Sequence, residues 1–171
     1  MKVSKSILGI TGEYYVAAEL GKRNVYAQLT LGNQKRTDLI IFSEDSDTLL
    51  KIEVKCKQGP AWPNCKGIND NNSFIVFVDM EEIHDRQRPD FYILDRNDWN
   101  SVIQKARNEY LSKHPTRKVN IKNNVLIYID EVNKQGKSYE GFTVEPKHIK
   151  EFKENWDKII ERFKCNNSTS F

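Results

Sequence analysis

Residues 49–57, Leu-Leu-Lys-Ile-Glu-Val-Lys-Cys-Lys, alternate apolar and charged side chains from Leu50 onward. A period of two belongs to a strand with unlike faces. Ile52, Val54 and Cys56 go to one face, and Lys51, Glu53, Lys55 and Lys57 to the other, which is expected to meet solvent or a site. The flanks supply pairing partners. Residues 25–31 alternate as well, Gly32-Asn33 reads as a turn, 37–42 as a second strand and 43–47 as a polar turn. Two turns joining three strands predict an antiparallel meander. Residues 74–78 are an unbroken apolar run, which predicts a strand buried on both faces, and 91–94 form another short strand.

The helices follow from caps and from helical spacing. Thr11 reads as the N-cap of a first helix reaching about Arg23, with Glu13 in its first turn. Asn97 or Asp98 caps a second helix that presents Trp99, Val102, Ile103, Ala106 and Tyr110 on one face. Pro146 opens a last helix carrying Ile149, Phe152, Trp156, Ile159, Ile160 and Phe163. Residues 125–129 read either as a late strand or as part of an irregular excursion. Residues 58–73, with two prolines and two glycines, read as a long loop. The order predicts an α/β (α+β) fold built as a central mixed sheet flanked by helices. Residues 1–95 form the core, 96–165 are C-terminal helices and a connecting segment packed on it in the same domain, and 166–171 are a frayed tail.

Composition narrows the function classes. With 171 residues and 38% hydrophobic side chains the chain has material for one core. It has no apolar run of membrane-spanning length, and no apolar stretch of signal-peptide length follows residues 1–6, so the expectation is a cytoplasmic protein with no membrane partner. Cys56, Cys65 and Cys165 are too irregularly spaced for a disulfide framework or a zinc site, and read as free thiols. His84, His114 and His148 show no metal spacing. A net charge of +3 permits nucleic-acid binding without requiring it. The basic stretch 105–122 either tracks a phosphate backbone or is a solvated helix end.

Chemistry concentrates where the second and third strands meet. A hairpin-like connection brings Asp38 near Glu53 and Lys55. Two adjacent carboxylates raise each other's pKa unless a cation stands between them, and a hard divalent ion such as Mg²⁺ relieves the repulsion. The bland alternative is a surface Asp–Lys pair. Glu13 shares a helical face with Val16, Ala17 and Leu20, a costly place for an unpaired carboxylate. It is either paired toward the sheet or an exposed first-turn charge.

A helix with Glu13, then a strand, then Asp38, then Glu53-Val54-Lys55 resembles the PD-(D/E)XK nuclease superfamily, the group of restriction-endonuclease-like and Holliday-junction-resolvase-like enzymes. Thr37 stands where the name-giving proline would be. The resemblance covers residues 11 to about 78. It implies a restriction-endonuclease-like α-β-β-β-α-β core, from which this chain departs because 58–73 leaves the second core helix short or absent. It further implies Mg²⁺, with Mn²⁺ as a substitute, held by Asp38, Glu53 and the Val54 carbonyl. Lys55 would prepare the attacking water, and Glu13 would hold a metal water or a second ion. The implied activity is that of a metal-dependent endonuclease, a hydrolase of phosphodiester bonds. DNA is the expected partner, RNA is the other polymer that fits, and a homodimer would match a duplex. The competing reading is a non-catalytic nucleic-acid- or protein-binding module on the same fold. Weaker candidates for nucleic-acid contact are Lys35, Arg36, Lys57, Gln58, Trp62 and Lys66, each with an ordinary structural alternative. Tyr14 and Tyr15 are divided between nucleic-acid contact and core packing.

Overall fold

Ser4 starts the first helix: its extended backbone and its Oγ, which accepts from the Ile7 N–H, form the N-cap of α1 (Lys5–Gly21). The helix begins earlier than the Thr11 cap expected from sequence. Thr11 instead donates its hydroxyl to the Ile7 carbonyl one turn back, as a mid-helix threonine does. This computed structural model describes residues 3–30, 37–42, 49–81, 87–132, 136 and 138–165.

The chain then builds a five-stranded sheet from β1 (Ala27–Leu29), β2 (Leu39–Phe42), β3 (Leu49–Lys57), β5 (Ser73–Asp79) and β6 (Asp90–Leu94), in the spatial order β1-β2-β3-β5-β6. The β1, β2 and β3 pairs are antiparallel, β3 and β5 are parallel, and β5 and β6 are antiparallel. This is a mixed sheet in an α+β architecture. The parallel step needs a long crossover. Here the crossover carries no helix. It holds a short strand, β4 (Trp62–Cys65), in the segment expected to be all loop, and β4 pairs with β10 (Phe142–Val144) near the other end of the chain.

Both sheet faces are covered. One core joins Val16 and Leu20 of α1 to Leu39, Ile41, Ile52, Val54, Val76 and Phe91. The second joins Ile75, Phe77 and Leu94 to Trp62 and to Trp99, Val102 and Ile103 of α2 (Arg96–Lys113). The charged face of β3 is therefore not a solvent face, and Glu53 and Lys57 are buried. The cap of α2 is Asp95, whose carboxylate accepts from the Asn97 and Asp98 amides, while Asp98 returns a bond to the Asp95 amide. The crossover passes so close to Trp99 that a Cβ on Gly67 would lie 1.7 Å from its indole nitrogen. Only glycine fits there, and its φ of +70° needs it too.

The C-terminal half differs from the expected helices and connecting segment. Strands β7 (Val119–Lys122), β8 (Val125–Val132) and β9 (Ser138–Glu140) form a second antiparallel sheet. Asn123 and Asn124, both with positive φ, make the two-residue turn between β7 and β8. The expected single last helix is broken into α3 (Pro146–Ile149), a 3₁₀ turn at 150–152 and α4 (Asp157–Cys165). The break lies at Glu154, which takes a positive φ, donates its amide to the Phe91 carbonyl and sends its carboxylate to Arg88. The chain thereby covers the open edge of β6 instead of continuing as a helix. No helix among the described residues is long and apolar enough to cross a membrane.

Candidate active site

Asp38 ends the β2–β3 ladder. Its amide donates to the Ile52 carbonyl at 2.8 Å, and the register Leu39↔Ile52 sets it opposite Glu53. The next ladder position is filled by a side chain: the Val54 N–H donates to Asp38 Oδ2 at 2.7 Å. A carboxylate in place of a backbone carbonyl lets the strands part at this point. Backbone groups of one strand residue point the same way, so the Val54 carbonyl also faces the side where Asp38 sits. Thr30 braces the start of the second strand, donating its hydroxyl to the Thr37 carbonyl and its amide to the Asp38 carbonyl.

Glu53 and Lys55 lie on the same side of β3. Lys55 Nζ stands 2.5 Å from Glu53 Oε1, with Lys55 partly open to solvent. Glu53 Oε2 is buried and has no hydrogen-bond partner among the described residues. A buried carboxylate oxygen with nothing to accept is costly, and an oxygen-seeking cation removes that cost. Burial pushes the Asp38 carboxyl above the usual range and the charge of Glu53 adds to it, while the Val54 amide and Lys55 pull the other way. Glu13 on α1 is also raised, by burial first and then by the charge of Asp38. Asp38 is thus the electrostatic middle of a chain that runs from Glu13 to Glu53 around the opened sheet edge.

The donor set suits a hard divalent ion that takes one or two carboxylates, a carbonyl and several waters. Among the described residues no three His, Cys, Asp or Glu side chains form a ready-made cage. Asp38, Glu53 and the Val54 carbonyl would hold such an ion, with water completing its shell.

Gly12 sets the distance between helix and sheet. A Cβ there would meet the Cβ of Cys56 at 2.7 Å, so α1 lies against β3 as closely as a helix can.

The other candidates fare differently. Lys57 is withdrawn from any phosphate: it is 2% exposed, pairs with Asp79 at 2.6 Å and Glu81 at 2.8 Å, and lies over the Trp62 ring. Trp62 is not a stacking platform but a core residue, edge-on to Phe77 and Tyr92, with its indole N–H donating to the Val78 carbonyl. Gln58 clamps the N-terminus, accepting from the Val3 N–H and donating to the Val3 carbonyl. Lys66 is exposed and pairs with Glu140. Lys35 and Arg36 lie outside the described residues, as does His84. Tyr15 packs on the core and Tyr14 is exposed. In the basic stretch, Lys105 pairs with Glu151, Lys113 with Glu109, and Arg107 donates to the Val119 carbonyl. Burial pushes the Cys56 and Cys65 thiols up to about 12, so neither is a nucleophile near neutral pH. His148 accepts the Glu145 amide at Nδ1 and serves the start of α3.

The ion-pair knot behind α1 escaped the sequence reading. Glu19, nearly buried, is held by Lys22, Arg23 and Arg88. The Glu19-to-Lys22 and Glu19-to-Arg23 spacings were visible; the Arg88 contact is long-range and was not.

No family model matches the sequence, and no curated protein matches it. Among solved structures the chain is similar to a bacterial homing endonuclease, at 15% identity and a TM-score of 0.48, over 98% of this chain and 100% of that one.

Proposed function

We propose that this chain is a divalent-metal-dependent nuclease of the PD-(D/E)XK type that hydrolyses phosphodiester bonds in DNA. The observation that carries the reading is the buried, unpartnered Glu53 Oε2 beside the half-buried Asp38 carboxylate, with Lys55 on the same strand face. A fold has little reason to keep such an oxygen unless something cationic comes to it. When bound, a divalent ion supplies charge stabilisation at the attacked phosphate.

The chain's own groups have separable tasks. The Val54 N–H fixes Asp38 in one orientation, so its free lone pairs are preorganised at no further entropic cost. Lys55, released from Glu53 Oε1, offers an ammonium that orients the attacking water and opposes negative charge growing on the phosphate oxygens. The water oxygen bonds to phosphorus, the ester P–O bond breaks, and the proton passes to the leaving oxygen. Glu13, its carboxyl raised toward the protonated form, holds or accepts a proton from ordered water at the far side of Asp38.

The test pairs cleavage with binding. Purified full-length protein is incubated with linear, branched and single-stranded DNA in Mg²⁺ or Mn²⁺, and with RNA in parallel. Lys55→Ala is expected to lower the cleavage rate by about 10²–10⁴-fold, the usual size for a proton-transfer or electrostatic group. Its DNA affinity in Ca²⁺ should fall only slightly, because one phosphate contact among several is a small share of the counterion-release effect. Wild-type protein that cleaves no substrate, with Lys55→Ala binding as well as Lys51→Ala, would reject the enzyme in favour of a binding module.

A further inference from the structure

The fold pairs the helical part of the basic stretch 105–122 and leaves its last part open. Lys118 and Lys122 are exposed and make no ion pair among the described residues. They share one face of the second sheet. Val119 and Leu126 point into the core that this sheet shares with α2, and Ile121 and Tyr128 pack against it. Alternation turns Lys118, Asn120 and Lys122 the other way. The Ile129 amide donates to the Lys118 carbonyl, so the β7–β8 ladder includes Lys118. Directly opposed residues of an antiparallel pair share a face. The register Asn120↔Ile127 and Lys122↔Val125 therefore sets a row of Ile129, Ile127 and Val125 beside the lysines, and none of the three belongs to either core. Beyond Ile127 lies Glu140, which pairs with Lys66 at 3.2 Å.

Charge and size select what this face can hold. The neighbouring acids of β8 are engaged: Asp130 accepts the Lys118 amide, and Glu131 accepts the Tyr110 hydroxyl of α2. Glu140 is answered by Lys66, so Lys118 and Lys122 give the face a positive excess that calls for an anion. A two-fold contact with a second copy would set these lysines against their own kind. Residues four apart on a strand are separated by about 13–14 Å, and three strands span about 10 Å. The major groove of B-DNA is about 12 Å wide and admits β-structure. Lys118 and Lys122 thus match phosphates on the two walls of the groove. Asn120, midway between them, meets base edges, where asparagine and apolar side chains both find partners. An acidic peptide would use the cations but not their spacing.

The second sheet is fastened to the strand that covers the candidate site. Between β9 and β10, a Cβ on Gly141 would meet the Asn64 backbone of β4 at 3.3 Å, and the Gly141 amide donates to the Leu126 carbonyl of β8. Cys65 of β4 lies near enough to Lys55 and Glu53 for their charges to act on its thiol. We infer, building on the nuclease reading, that the outer face of β7-β8-β9 docks in the major groove of duplex DNA. Lys118 and Lys122 take phosphates on its two walls, Asn120 faces the bases, and the duplex is held to the chain that cuts it.

The experiment is an anisotropy titration of the full chain in Ca²⁺ over a series of salt concentrations, with a mixed-sequence duplex of about three helical turns. The double variant Lys118→Ala with Lys122→Ala should flatten the dependence of log affinity on log salt by about 1.8, two phosphate contacts at about 0.9 each, and lower affinity more than about tenfold at about 0.1 M salt. Lys118→Arg with Lys122→Arg should keep both. Asn120→Ala should weaken binding without changing the slope, because a base contact releases no counterion. Methyl green, which fills the major groove, should compete, and the minor-groove ligand netropsin should not. Unchanged slope and affinity in the double alanine variant would overturn the inference, as would competition by netropsin alone. A change from dimer to monomer in sedimentation with DNA affinity intact would also overturn it and give the face to a second copy. Cleavage in Mg²⁺ is read separately, at saturating protein, where the double variant should match wild type. Lysine-dependent binding without cleavage of any substrate would reject the nuclease reading and leave the docking face standing.

Discussion

Glu19 and Glu53 are hidden to nearly the same degree, with side chains 6% and 8% exposed, yet their surroundings are opposite. Glu19 accepts from Arg88 through both oxygens, from Arg23 through Oε2 and from Lys22 through Oε1. The Arg88 hydrogen bond first, with those of Arg23 and Lys22, pulls its carboxyl down to about 2 against the cost of burial. Glu53 has one lysine on one oxygen and, among the described residues, no partner on the other. The first glutamate is finished by the fold: it ties α1 to the segment before β6, and through Arg88 to Glu154 at the break before α4. The second is left unfinished by the fold. A buried charge that folding completes serves structure. One that folding leaves open is where a ligand contributes, and natural sites commonly trade stability for function in this way.

The largest expected difference is in activity. Glu53→Gln should reduce metal-dependent cleavage by about 10²–10⁴-fold, as loss of a preorganised electrostatic group does. The same variant should not lower stability, and should raise the urea midpoint by an amount equivalent to about 1 kcal/mol, because it removes a buried charge that Lys55 meets on one oxygen only. A Glu53→Gln protein that unfolds more easily than wild type would make Glu53 a structural residue like Glu19 and dissolve the contrast.

Glu19→Ala should show the reverse. It leaves Arg23 without its carboxylate and Arg88 with Glu154 alone, and should cost about 3 kcal/mol, the low end for breaking a buried ion pair, since the arginines themselves reach solvent. Urea unfolding gives the number. Residual activity measured well below the unfolding midpoint should stay near that of wild type. A stability loss under about 1 kcal/mol would mean that the knot is a surface feature.

Much of this contrast was legible in the sequence, but unevenly. The period-two pattern of residues 50–57 located β3 and put Glu53 and Lys55 on one side, and the antiparallel pairing expected of the second and third strands put Asp38 beside them. The unbroken run at 74–78 announced a strand buried on both faces, as β5 is. Local pattern could not tell that the polar face of β3 is covered. That depends on α2 and β4 arriving from later in the chain, and they turn Lys57 and Trp62 from surface candidates into core. The break at Glu154 was unreadable for the same reason, because helical spacing continues through it and its cause is Arg88, far away in sequence. The Asn123-Asn124 turn was a readable hairpin signal that the reading passed over.

Acidity probes the Glu19 knot and the Asp38–Glu13 pair with opposite signs. The folded pKa of Glu19 is depressed, so its contribution to stability is complete above the ordinary carboxylate value of 4.5 and is lost as pH falls from there toward about 2. Asp38 and Glu13 have raised folded pKa values, so the fold binds their protons more readily than the unfolded chain does. Their ionisation weakens the metal-free fold as pH rises through those values. Metal-free protein should therefore be eased around the Asp38 cluster by mild acid before the Glu19 knot fails at lower pH. Divalent-ion affinity, which needs ionised carboxylates, should decline already above the usual carboxylate range. Calorimetric Mg²⁺ titrations across pH 4–8 test this. An affinity independent of pH down to about 4 would mean that Asp38 and Glu13 are ordinary solvated acids.

The smallest effect concerns the helix that carries both Glu13 and Glu19. Near its C-terminal end α1 is tied by the Glu19 knot. At its N-terminal end a tie is one amide side chain, Gln58, which both accepts from and donates to the Val3 backbone at 3.1 and 3.2 Å. Gln58 directly follows β3, so this clamp registers the start of α1 against the strand that holds Glu53 and Lys55. Gln58→Ala removes two neutral, partly exposed hydrogen bonds and should cost about 1 kcal/mol. The loss should be local. Amide exchange should quicken over the first turns of α1 and stay slow around Glu19, because the two ends are secured independently. Cleavage should fall by a few-fold through looser placement of Glu13, far less than for Lys55→Ala. Rescue by Gln58→Glu is not expected, since a carboxylate accepts from the Val3 amide but gives nothing to its carbonyl. Uniformly faster exchange along α1 would instead show that the helix opens as one unit, and that the knot at Glu19 does not hold its own end without the clamp at Val3.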